Sequence, residues 1–140
     1  DGTNNNVTGN NISNNTFSGI ISDSAKGNYY NNNVFTLEDI GIDLESGSQD
    51  ETIEGNTFIS NTKPVSIRGN NHTLKSNFFN NSIDFIDFLA VDNVDFINNT
   101  VINTTLNMRR TVSNITILNN SFDMKSEQIT YDVIKKTSYF

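Results

Sequence analysis

Five charged residues, Asp43, Glu45, Arg68, Asp87 and Arg109, recur along the chain at intervals near 22 residues or its double. Their types suit two kinds of chemistry. Carboxylates held apart with room for a water between them can act as general acid and base, as in inverting glycoside hydrolysis, where the separation is about 6.5–9.5 Å. Guanidiniums and carboxylates on one surface also suit a hydroxyl-rich ligand, because they supply hydrogen-bond donors and acceptors in fixed directions. Asp43, Asp87 and Arg109 are therefore the candidate catalytic residues, and all five are candidates for carbohydrate binding. Each use requires residues some 22 positions apart to become spatial neighbours.

A repeat in the sequence supplies that constraint. An asparagine stands two residues before a large apolar residue in six copies, with anchors Phe17, Phe35, Phe58, Phe79, Val101 and Phe122. The steps are 18, 23, 21, 22 and 21 residues. Five residues before the anchors stand Ile12, Tyr30, Ile53, Leu74, Phe96 and Ile117. Seven after come Ile42, Val65, Ile86, Met108 and Ile129, and nine after come Leu44, Ile67, Phe88 and Tyr131, with Arg110 as the exception. Apolar pairs two apart mark strands with one buried face. No sustained helical stripe appears. A fixed period of this length, with units too small to bury their own apolar face, predicts a stacked solenoid. The expected fold is all-β, a right-handed single-stranded parallel β-helix of about six coils of ~21 residues, its neighbouring strands about 4.8 Å apart.

Asparagine makes up 26 of the 140 residues. Asn tolerates left-handed backbone and bonds to nearby main chain, so it suits tight corners. Asn15, Asn33, Asn56, Asn77, Asn99 and Asn120 are expected to stack as an inner amide ladder. With positions +7 and +9 inward, +8 and +10 face out. Asp43, Ser66, Asp87, Arg109 and Thr130 then share one column, while Glu45, Arg68, Leu89, Thr111 and Asp132 share the next. Glu45 with Arg68 and Asp87 with Arg109 fall within ion-pair range. Asp43 and Asp87 lie two coils apart, about 9.6 Å at that spacing. The segment Ser46 to Glu51 reads as the longest turn, and Phe85 and Tyr29 as the aromatics available to a ligand.

Gly41-Ile42-Asp43-Leu44-Glu45-Ser46, Thr52-Ile53-Glu54-Gly55-Asn56-Thr57-Phe58 and Ile115-Thr116-Ile117-Leu118-Asn119-Asn120-Ser121-Phe122 resemble the repeats of the pectate-lyase-like superfamily of parallel β-helices. The likeness covers roughly residues 7 to 133. It implies an extracellular or virion- or cell-surface protein that meets polysaccharide, of the tailspike, polysaccharide-lyase or surface-adhesin kind, as a homotrimer or as part of a larger parent chain. It does not carry catalysis to any residue: the Asn-Thr-Asp, Asp-Asp, Gly-His-Gly and Arg-Ile-Lys motifs of polygalacturonase-like members and the Asp-Pro-His-Asp segment of epimerase relatives are absent. Lyases of this kind use calcium, which takes six to eight oxygen ligands. No dense acidic loop offers them, so no metal site and no cofactor are expected, calcium being the weak exception.

The remaining signals mostly exclude. A net charge of −7 and a pI near 4.4 argue against nucleic acid, which needs a basic face. No apolar run approaches the ~18 residues of a membrane span. Cysteine is absent, which removes disulfides and thiolate metal sites. The lone His72 reads as a corner residue without a role. Residues 1–133 are expected to form the repeats and 134–140 a cap or tail, and the chain, beginning at Asp1 with a ragged first coil, reads as a piece of a longer or processed protein. Three functions remain: polysaccharide recognition, a polysaccharide lyase, hydrolase or epimerase, and a structural rod.

Overall fold

The computed structural model describes residues 2–123 and, for the backbone, 129–132. Residues 133–140, with the expected cap, lie outside that range. The chain coils through short strands separated by corners of one to a few residues. The first coil holds β1 (Asn6–Thr8), β2 (Asn11–Ser13) and β3 (Ser18–Ser22). The second holds β4 (Tyr29–Asn31), β5 (Val34–Thr36) and β6 (Ile40–Gln49). Next come β7 (Thr52–Glu54), β8 (Thr57–Ile59) and the long β9 (Lys63–Lys75), which turns a corner into the fourth coil. That coil continues with β10 (Phe78–Asn80) and β11 (Phe85–Leu89). The last two contain β12 (Asp92–Ile97), β13 (Thr100–Ile102) and β14 (Thr105–Arg109), then β15 (Ser113–Leu118), β16 (Ser121–Asp123) and β17 (Ile129–Asp132).

Equivalent strands pair in parallel between successive coils, so the protein is an all-β parallel solenoid of about five turns with a spacing near 22 residues. One face stacks β2, β5, β8, β10, β13 and β16. A second stacks β1, β4, β7, the end of β9, β12 and β15. The third stacks β3, β6, the start of β9, β11, β14 and β17. Because β9 spans a corner, it joins the second and third faces into one hydrogen-bonded sheet.

The core lies inside the coil. Phe35, Phe58 and Phe79 stack with ring centroids 4.9 Å apart and planes within 9°. Val101 occupies the next position in this column, and Phe96 of the neighbouring face continues the stack, 6.1 Å from Phe79. The smaller valine leaves the volume that the phenylalanine fills. Offset stacking adds about 0.5–1.5 kcal/mol per pair beyond the burial itself.

Most corners follow one rule, broken where apolar Val94 and Ile115 come after left-handed Asn93 and Asn114. A left-handed residue comes first and a side chain directed at the next coil follows. At one corner Gly9, Asn32, Gly55, Ser76, Asn98 and Asn119 have positive φ, directly before Asn10, Asn33, Asn56, Asn77, Asn99 and Asn120. The amides of the latter six form a ladder: the Asn33 N–H and Nδ2 donate to Asn56 Oδ1 at 2.9 and 3.1 Å, and Asn56 does the same to Asn77. Asn10, not Asn15, begins this ladder. Ile12 pairs with Phe35, Val7 pairs with Tyr30, and Phe17 is 67% exposed. The short first step expected from Phe17 is therefore a regular step of 23 from Ile12 to Phe35. Asn15 belongs to a second corner, where its Nδ2 donates to Glu38 at 2.9 Å and the Glu38 N–H donates to Asn61.

Two other expectations are corrected. The stretch expected as the longest turn is largely strand: β6 runs to Gln49 with an irregularity between Leu44 and Ser48. In the fifth coil Ile86 pairs with Leu106 and Phe88 with Met108. The exception seen at Arg110 disappears, because Met108 fills the apolar place. The corner before β14 is two residues shorter than the corner before β11, which advances the register by two.

Replacing Asn56 by Ala strands the buried Asn33 N–H and the Tyr30 carbonyl that accepts from Asn56 Nδ2. Unsatisfied buried groups cost roughly 1–3 kcal/mol each. Asn56→Ala should lower the unfolding free energy by about 3 kcal/mol and Asn10→Ala, at an exposed position, by about 1 or less. Urea midpoints at unchanged m-value check this.

Candidate functional site

The five charged residues meet on the outer surface of the third face. Asp43 of β6 pairs across to Ser66 of β9, and Ser66 to Asp87 of β11, so the two carboxylates are two strands apart as expected. The column continues to Asn107, and Arg109 stands beside Leu89 instead of directly beside Asp87. Arg109 still reaches Asp87 diagonally: Nε donates to Oδ1 at 2.9 Å, and Nη2 bonds the other oxygen. The Arg68 Nη2 donates to both oxygens of Asp43 at 2.9 Å and to Glu45 at 2.8 Å. Both expected ion pairs form.

Burial separates the roles within this cluster. The side chains of Asp43 and Asp87 are 4% and 1% exposed, whereas Arg68 and Arg109 are 33% and 37% exposed. The carboxylates form a floor, and the long cations lie over it. Burial works against the charge of Arg68, yet the bonds and fields of Asp43 and Glu45 prevail and raise its pKa above the usual arginine value.

Three members of the site carry weaker sequence signals. Lys63, at the start of β9, contacts Asp87 at 3.4 Å. Its Nζ and the Arg109 guanidinium lie 5.3 and 5.1 Å from the centre of the Phe85 ring, within cation–π range. Phe85 was legible as an outward aromatic, but Lys63 falls outside the repeat columns. Asp84 is the third. Desolvation pushes its carboxyl above the ordinary range and Asp87 adds to the rise, while Lys63 opposes it. Tyr29 lies on the second face, half-buried, with its hydroxyl bonded to Glu54.

Chemistry is also stored inside the third corner. Asn5 bonds Asn28, and Asn28 Nδ2 donates to the buried Glu51, which also accepts from Ser22 at 2.7 Å and from Tyr30 at 3.3 Å. The Glu51 N–H donates to Nδ1 of His72, whose Nε2 is buried without a partner. His72 is thus an interior member of the corner column.

Residues 1–85 match the family described as periplasmic copper-binding protein (NosD). The chain belongs to this family. No curated protein matches it. The description places the NosD family in the periplasm, in coarse agreement with the expected extracellular or surface location. It also corrects the expectation of no cofactor, since copper is named in it. Copper sites draw on imidazole, thiolate or thioether ligands. Among the described residues no three His, Asp or Glu side chains gather as a metal site, and cysteine is absent. The single imidazole has Nδ1 engaged and Nε2 packed against Gly69, where an added Cβ would stand 2.9 Å away. The described His, Asp and Glu residues do not fit a copper centre.

The corner column makes stability depend on pH in two opposed ways. Burial lowers the His72 pKa from 6.5 to about 4, with the Asp50 charge opposing. Its contribution is therefore present above pH 6.5 and lost as pH falls toward about 4. Burial raises the Glu51 pKa, so its contribution is present below the ordinary carboxylate range and lost as pH rises through the raised value. His72→Gln should flatten the loss of stability between pH 6.5 and 4. Glu51→Gln should be more stable than the parent at pH 7 and lose that advantage at pH 4. Denaturation midpoints across this range check both.

Proposed function

We propose that this chain is a segment of an extracytoplasmic β-solenoid that recognises polysaccharide on the outer surface of β6, β9, β11 and β14, within a longer parent chain or a trimer. The observation that carries the reading is the layered charge on this face. Buried Asp43 holds Arg68, and buried Asp87 holds Arg109 and Lys63 against the Phe85 ring, with part of each cation in solvent. Donors fixed in this way do not lose further rotamer freedom when a ligand arrives, and ordering such side chains on binding otherwise costs about 0.5–1.5 kcal/mol each. Sugar hydroxyls accept from guanidinium N–H groups, and the partly exposed Glu45 supplies an acceptor.

The same burial favours recognition over cleavage. An acid–base pair at Asp43 and Asp87 would have to reach substrate through the arginines that cover them. In this reading the two carboxylates position the cations, and Arg68 and Arg109 touch the ligand.

Removing Arg68 alone would leave the buried Asp43 carboxylate unpaired, at about 3–5 kcal/mol, whereas Asp87 without Arg109 keeps Lys63. The test therefore replaces a pair, Asp43→Asn with Arg68→Gln, beside Arg109→Lys, which retains the charge over Asp87. Binding to a panel of neutral and acidic polysaccharides should weaken about tenfold in the paired variant, or about 1.4 kcal/mol, with the melting transition retained. A parent protein that binds no member of the panel, or a paired variant that binds as the parent does, overturns the reading. Shortening of the polymer by the parent would favour the lyase or hydrolase alternative.

A further inference from the structure

At one edge of this face a cleft of about 230 Å³ opens where the chain leaves the strands for the next corner. Arg68, Gly69, Asn70, Leu89, Ala90 and Arg110 are among its walls, and among the described residues no carboxylate lines it. We propose that this cleft binds an oxyanion substituent, a carboxylate or a sulfate, on a sugar unit of the glycan held by the face. The proposal rests on the reading above and specifies the ligand further.

The charge distribution supports it. The chain carries a net charge of −7. Lys63, Arg68, Arg109 and Arg110 nevertheless gather on or beside this one face. Asp43 and Glu45 engage Arg68 through Nη2, and Nη1 makes none of those bonds. Arg110 has no carboxylate partner among the described residues. Two guanidiniums thus border a small cleft, one of them with no carboxylate partner among the described residues. Guanidinium is the side chain best matched to planar oxyanions, through paired N–H donors.

The size of the cleft sets the scale of the ligand. Sites for drug-sized molecules occupy roughly 300–1,000 Å³, so this one suits a single substituted ring. The backbone brings the walls close. Gly69, Ala90 and Arg110 follow one another at this corner with φ of 135°, 56° and 65°.

The test titrates the full chain with an oligosaccharide bearing uronic carboxylates, its carboxyl-reduced neutral counterpart, a sulfated counterpart and inorganic sulfate. Affinity is read by calorimetry and arginine side-chain N–H shifts by NMR. The expected result is at least tenfold tighter binding of one charged oligosaccharide than of the neutral one. Arg110→Gln, at an exposed position, should abolish that preference while leaving the neutral ligand's affinity unchanged. The charged ligand that binds more tightly identifies carboxylate or sulfate as the substituent. Equal binding of charged and neutral oligosaccharides overturns the oxyanion site and leaves glycan recognition standing. If no oligosaccharide binds, glycan recognition falls. Inorganic sulfate then decides the cleft: shifts confined to Arg68 and Arg110 retain an oxyanion site, and their absence overturns it.

Discussion

Every coil of this protein must turn corners without leaving backbone donors stranded in a narrow interior. That requirement organises the rest of the molecule. A buried N–H without a partner costs as much as a lost hydrogen bond, and a thin solenoid has little water inside to relieve it. The solution is local and repeated. A left-handed residue turns the chain, and the side chain that follows offers an oxygen or nitrogen to the N–H one coil earlier. Asparagine serves at the first corner throughout, while the others accept Asn28, Glu38, Asn61 and His72 in the same office. The faces between corners are then free to vary.

That freedom is visible in the core and on the surface. The aromatic column can pass from one face to another at Val101 and Phe96 without disturbing strand pairing. On the outside, parallel pairing brings residues from distant parts of the sequence into contact, and the charged cluster is a direct product of that register. Its carboxylates are buried although they point away from the core, because Arg68, Arg109 and Lys63 lie across them. Exposed ion pairs contribute only about 0–1 kcal/mol. A pair with one partner buried has a different character, since neither member can be removed without leaving the other's charge exposed to a poor environment.

The fold was legible because its determinants are periodic. Spacing alone reveals parallel stacking, the Asn corner and both ion pairs. Errors arose where periodicity was read from the wrong member. Asn15-Thr16-Phe17 mimics the repeat one corner too late, and only the pairing of Ile12 with Phe35 exposes it. A corner shortened by two residues shifted Arg109 by one column, and the apolar run of Leu106 and Met108 held the corrected alignment in plain view. The burial of Asp43 and Asp87 was not legible, because it depends on where long side chains from neighbouring strands come to rest. The second and third corner ladders were also hidden, since Glu, His, Thr and Asn share one task there and leave no common letter.

The asparagine ladder has a direction. Each N–H and Nδ2 passes to the oxygen of the coil that follows, as Asn33 does to Asn56 and Asn77 to Asn99. The two neighbours of an inner coil are therefore not equivalent. Losing the following coil removes the acceptor of two donors at once, while losing the preceding one leaves the Asn side chain other carbonyls and the next amide to bond. Orphaned donors are harder to tolerate than spare carbonyl lone pairs. The stack is a vectorial lattice: two rods of identical coils joined in opposite order would differ in strength at their ends, and a coil is secured more by what comes after it than by what came before.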